Sequence, residues 1–143
     1  MPIQTILSSS TPLLTAAEAN LHGHVAFLQR SISGMKVIED DGLMIIDSGL
    51  RSDTFNKVCR ARLNESQADR RIADAISYFI RVGSPFTWWV GPGSRPLDLE
   101  RRLRDPGMRV SEPELGMAMD LGELPSQVDG PSPLVVRRVR SVG

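Results

Sequence analysis

Apolar positions along this chain change period several times, and each change marks an element. From Thr15, the residues Ala17, Leu21, Val25 and Leu28 recur at helical spacing, Thr15 and Glu18 form a capping box, and Gly34 supplies an end. Two short apolar runs follow, Met35–Glu39 and Leu43–Asp47, separated by Asp40-Asp41-Gly42. Asp-Gly between apolar runs predicts a hairpin. Leu50–Asn56 reads as a connecting loop. Lys57–Leu63 predicts a third strand, with Lys57, Cys59, Ala61 and Leu63 on one face and Arg60 and Arg62 on a basic one. Val58 falls on the basic face and breaks the alternation. A second helix is predicted from Gln67 to Val82, with the stripe Ala68, Ile72, Ala75, Ile76, Phe79 and Ile80. Ser66 and Asp69 resemble its capping box, and Gly83 and Pro85 stop it.

Phe86-Thr87-Trp88-Trp89-Val90 then suits a strand covered on both faces. Gly91-Pro92-Gly93-Ser94 can continue neither strand nor helix. A short helix follows from Pro96 to about Arg104, with Leu97 and Leu103 inward, the arginines outward, and Asp105-Pro106-Gly107 as its stop. Met108–Ser111 and Gly116–Leu121 read as a strand pair across Glu112-Pro113-Glu114. The order predicts an α/β fold with a central mixed sheet flanked by helices. Residues 1–14 form a polar lead and 15–124 the domain. Residues 125–143 hold a Pro/Gly/Ser linker and the strand-like Leu134–Val139, the expected first strand of a further domain that is missing.

Composition narrows the class. The 143 residues fit one domain, and 41% hydrophobic content supports a core. Seventeen basic and 17 acidic side chains cancel, which gives no support for nucleic-acid binding or a polybasic membrane anchor. No apolar run approaches the ~20 residues of a membrane helix. The N-terminus lacks the features of a signal peptide. A single cysteine, Cys59, permits no internal disulfide, and a cytoplasmic location is expected.

Chemistry-bearing residues are few. His22 and His24 stand two apart and face different ways on a helix, so no metal site is expected. Cys59 reads as a small core residue. Asp40-Asp41 is explained by the hairpin turn. Gly91-Pro92-Gly93-Ser94 precedes a helix and offers backbone N–H groups to an anion, yet it lacks the lysine of a phosphate loop, and a rigid turn is the plainer reading. Trp88 and Trp89 point to opposite sides of a strand. Both suit a core, and one is a candidate for stacking on a ligand.

Phe55-Asn56-Lys57-Val58, the helix Ile72–Arg81, Pro85-Phe86-Thr87-Trp88-Trp89-Val90-Gly91-Pro92-Gly93-Ser94-Arg95-Pro96, Asp98-Leu99 and Gly116-Met117-Ala118-Met119-Asp120-Leu121 together make a pattern. It resembles the N-terminal half of two-domain bacterial GNAT-superfamily N-acetyltransferases, over roughly Asn20 to Leu124. The resemblance implies a GNAT-like (acyl-CoA N-acyltransferase) fold and, for the family, transfer of an acetyl group from acetyl-CoA to an amine. It also implies a glycine-bearing loop for the cofactor pyrophosphate. The corresponding stretch here, Leu63–Asp69, has no glycine and carries Glu65 and Asp69 where an anion would sit. The general-acid tyrosine often found in the family is absent at its place, and the only tyrosine, Tyr78, lies in the preceding long helix.

The expected function is therefore that of a degenerate, non-catalytic GNAT half that does not bind acetyl-CoA alone and supports a C-terminal GNAT catalytic domain. Two alternatives stand beside it. One is an autonomous acetyltransferase with an atypical acetyl-CoA site, for which Arg60, Arg62, Gly91, Gly93 and Ser94 are the weak candidates. The other is an interaction module that self-associates. Trp88, Trp89 and Arg95 are the candidates for a substrate cleft, and no residue receives a catalytic role.

Overall fold

A computed structural model describes residues 11–111, 121–123, 130, 135, 137 and 138. The order is α1 (Thr11–Phe27), β1 (Lys36–Glu39), β2 (Met44–Asp47), β3 (Lys57–Cys59), α2 (Ala68–Val82), β4 (Thr87–Trp88) and α3 (Leu99–Arg104). The fold is mixed α/β. Its four strands lie in the order β1-β2-β3-β4, antiparallel for the first two pairings and parallel for the last.

The expected hairpin forms. The Asp40 carboxylate accepts hydrogen bonds from the N–H groups of Gly42 (2.8 Å) and Leu43 (2.9 Å). These bonds and the Arg71 guanidinium outweigh the effect of burial and hold the Asp40 carboxyl below its ordinary range.

Two cores lie on opposite faces of the sheet. Val58 and Trp88 point to the side covered by α2 and α3, with Ala68, Ile72, Ala75, Phe79, Leu99 and Leu103. Met44, Ile46 and Cys59 point to the other side, where Ala26 of α1 is fully buried. Burial pushes the Cys59 thiol up to about 11, so it is an inert core group.

The expected seven-residue third strand is broken. Arg60 has φ 54, the left-handed region, and β3 stops before it. Before the break the β2–β3 partners are Met44 and Cys59, whose numbers sum to 103. After it, the Arg62 N–H donates to the Gly42 carbonyl, a sum of 104. One residue has been inserted, which is a β-bulge. The bulge returns Ala61 and Leu63 to the core face of Val58 and accounts for the misplaced Val58 in the alternation.

Other expectations shift as well. α1 begins at Thr11, so Thr15 and Glu18 lie inside it and form no capping box. α2 has no side-chain cap at its start, and Gly83 at φ 67 closes its end. Ile80 is 72% exposed because steps of four along a helix drift ~40° each, carrying the row from Ile72 through Ile76 off the buried face. Leu97 is 86% exposed, and Leu99 takes the inward place expected of it. Arg102 is held rather than outward, bonded to Asp98 and to Asp69 of α2. Residues 108–111 form no strand, and Met108 packs on the α2/α3 core. Their expected partner 116–120 lies outside the described residues, and Leu121 opens a single 3-10 turn. Of the expected run 134–139, Val135, Arg137 and Arg138 are described and carry no strand; its other residues and most of the linker lie outside the described residues.

Candidate functional site

The pairing of β3 with β4 is interrupted and then resumes. Val58 pairs with Trp88, an offset of 30, while Arg62 pairs with Arg95 in an isolated parallel bridge, an offset of 33. The β4 side therefore carries three extra residues between the two pairings. They are accommodated by the loop through Gly91-Pro92-Gly93-Ser94, which leaves the sheet and returns at Arg95. The Arg95 N–H donates to Ala61 O (2.8 Å) and the Leu63 N–H to Arg95 O (3.1 Å), which fixes the return. The Arg95–Pro96 peptide is cis.

α1 lies against this loop. Glu18 Oε1 accepts a hydrogen bond from the Gly93 N–H at 2.9 Å. A Cβ at Gly91 or Gly93 would meet the Glu18 carboxylate, so both glycines are needed for its close approach. Within the loop, the Gly91 N–H donates to Ser94 Oγ (3.0 Å) and the Ser94 N–H to Gly91 O (2.9 Å). Proline has no N–H. Every backbone donor from Gly91 to Ser94 is thus already engaged.

Two spaces open beside the latch between Glu18 and Gly93. A small void of about 10 Å³, room for one water molecule, lies among Glu18, His22, Arg60, Ala61, Arg62, Gly93 and Ser94. The larger space is a cleft of about 640 Å³, walled by Leu14, Thr15, Glu18, Arg62, Leu63, Asn64, Pro92, Gly93 and Arg95. Burial lowers the pKa of His22; Glu18 opposes that effect, and Arg60 and Arg62 add to it. The neutral form of His22 is therefore favoured.

The sequence candidates separate into groups. Arg62, Gly93 and Arg95 meet in the cleft, and Arg60 and Ser94 border the small void. Arg60 is paired with Glu39 and donates to Asp40 O. Arg95 donates through Nη1 to the carbonyls of Ser94 (2.7 Å) and Pro92 (3.2 Å). Trp88 belongs to the α2/α3 core, and its indole N–H is buried without a partner among the described residues. Trp89 packs on the α1 side under Lys57, whose Nζ lies 4.4 Å from the ring centroid. Neither tryptophan lines the cleft.

At the start of α2, the Asn64 carbonyl and side chain accept from Gln67 and Ser66, and Asp69 pairs with Arg102 at 2.7 Å. Sequence reading missed Glu18 and His22 as site residues. Their spacing of four on one helix face was the available signal. Among the described residues no cluster of three or more His, Cys, Asp or Glu side chains is placed to hold a metal ion, and no helix is long and apolar enough to cross a membrane.

Comparison with known proteins adds no assignment: no protein-family model, curated protein or solved structure matches this chain.

Proposed function

We propose that this chain is a GNAT-like domain of the acyl-CoA N-acyltransferase kind that has lost its cofactor site and supports a separate catalytic GNAT domain in the cytoplasm. The observation that carries the reading is the occupation of its backbone donors. In the family to which the sequence bears a resemblance, free N–H groups receive the pyrophosphate of acetyl-CoA. In the corresponding stretch here the N–H groups of Leu63, Ser66 and Gln67 donate to Arg95 O and to Asn64, and the alternative place, the turn from Gly91 to Ser94, spends its donors on Ser94 Oγ, on Gly91 O and on Glu18. The start of α2 carries Asp69, already matched by Arg102. A carboxylate seated on a backbone N–H repels a second anion at the same place.

The order hairpin, strand, helix, parallel strand supports the fold half of the reading. Calorimetric titration of acetyl-CoA into the chain near neutral pH tests the rest. No saturable heat is expected. One-to-one binding would favour the autonomous acetyltransferase and would send attention to Arg60 and Arg62. The self-associating module draws support from exposed Phe27, Leu28 and Ile80. Its mark is a mass that rises with concentration in sedimentation.

A further inference from the structure

We propose that the cleft between α1 and the return of the Gly91–Ser94 loop binds a small monocarboxylate with an apolar body. The inference stands apart from the GNAT-like reading and needs no cofactor.

The first ground is the bridge between Arg62 and Arg95. Bridged residues of neighbouring parallel strands project to the same face, so both arginine side chains leave the sheet on one side, and both line the same cleft. Like charges directly opposite across a sheet are destabilising. The fold contains a remedy that it uses elsewhere. Arg30, Arg60, Arg70, Arg71, Arg101, Arg102 and Arg104 are all in ion pairs with carboxylates. Among the described residues Arg51, Arg62, Arg81, Arg95 and Arg109 are in none, and of these only Arg62 and Arg95 share a bridge and a cleft.

The second ground is the cleft itself. Both arginines line its volume of about 640 Å³, a size suited to a small molecule, and Leu14, Leu63 and Pro92 supply apolar wall. Arg95 is held in place through Nη1 by the carbonyls of Pro92 and Ser94, which leaves its Nη2 and Nε donors. A pre-positioned guanidinium loses little freedom on receiving a carboxylate and matches its two oxygens.

Charge selects the ligand class. Two guanidiniums set against the Glu18 carboxylate leave one positive charge in the cleft. One carboxylate balances it, whereas a phosphate dianion would leave the cleft with a net negative charge.

Hexanoate titrated into the full chain, followed by backbone amide NMR shifts, tests the proposal. Saturable shifts are expected at Arg62, Leu63 and Arg95. Hexanol and inorganic phosphate should each bind about tenfold more weakly or worse. Arg62→Gln should weaken hexanoate about tenfold. Arg62 makes no side-chain hydrogen bond among the described residues, so this variant should keep the wild-type spectrum elsewhere. Glu18→Gln retains an oxygen for the Gly93 N–H but removes the charge, and should tighten hexanoate about threefold. The proposal is overturned by an absence of saturable shifts, by equal affinity for hexanol, by tighter binding of phosphate, or by unchanged affinity in both variants.

Discussion

The two ends of the β3–β4 seam are built on opposite terms. At the end where β3 begins, polar groups are buried and satisfied. Asn56 is fully buried; its Nδ2 donates to Leu50 O (2.8 Å) and Pro85 O (2.9 Å), and its Oδ1 accepts from the N–H and the Oγ of Ser48. Nearby, buried Asp47 accepts from the Gly49 N–H and from the Tyr78 hydroxyl at 2.7 Å. At the far end, past the bulge at Arg60, Arg62 and Arg95 line one cleft in which Glu18 is the one carboxylate among the described residues, and Glu18 is tied to Gly93. One end joins loop, sheet and helix through matched hydrogen bonds. The other keeps unmatched charge around an open cleft, a pattern that costs stability and suits a ligand.

The comparison can be broken most forcefully at Asn56. Asn56→Ala removes the partner of the buried Ser48 donors and of the part-buried Leu50 and Pro85 carbonyls, and should cost about 3 kcal/mol in urea unfolding. A loss under about 1 kcal/mol would mean that this end is not the anchor described.

Tyr78→Phe should cost about 2 kcal/mol, because it removes a donor from a buried carboxylate. It also carries a pH signature. Burial first, and then the bond to Asp47, push the Tyr78 hydroxyl up to about 12 from its ordinary 10.0. Between those values the unfolded chain releases the proton while the folded chain holds it, so stability falls as pH rises through that window. The wild type should show this fall and Tyr78→Phe should lack it.

At the cleft end the effects shrink. Gly93→Ala should cost about 1 kcal/mol, since its Cβ displaces only the far end of a flexible side chain and breaks one hydrogen bond. Combined with Glu18→Ala, the two losses should fail to add, because both remove the same contact.

The elements were legible in sequence, and the side-chain contacts at either end of the seam were not. The hairpin follows from Asp-Gly between apolar runs, and α2 from its stripe and Gly83. The bulge carried one clue, Val58 on the wrong face, but arginine does not announce a left-handed backbone as glycine or asparagine would. Asn56 hid inside a stretch that reads as loop, because its partners lie at Leu50 and, 29 residues on, at Pro85. Glu18 looked like half of a capping box. Its actual partner lies 75 residues away, beyond any local pattern. Arg62 and Arg95 were both visible as candidates, though for different tasks. What joins them is the three-residue difference in pairing offset, which only the fold displays.

The contrast between the two ends is tested most directly by urea unfolding of Arg62→Gln without ligand. If the cleft end carries uncompensated charge, removing one guanidinium relieves repulsion, and the midpoint should stay level or rise slightly. A fall as large as that of Tyr78→Phe would show that Arg62 supports the fold, and would contradict the account.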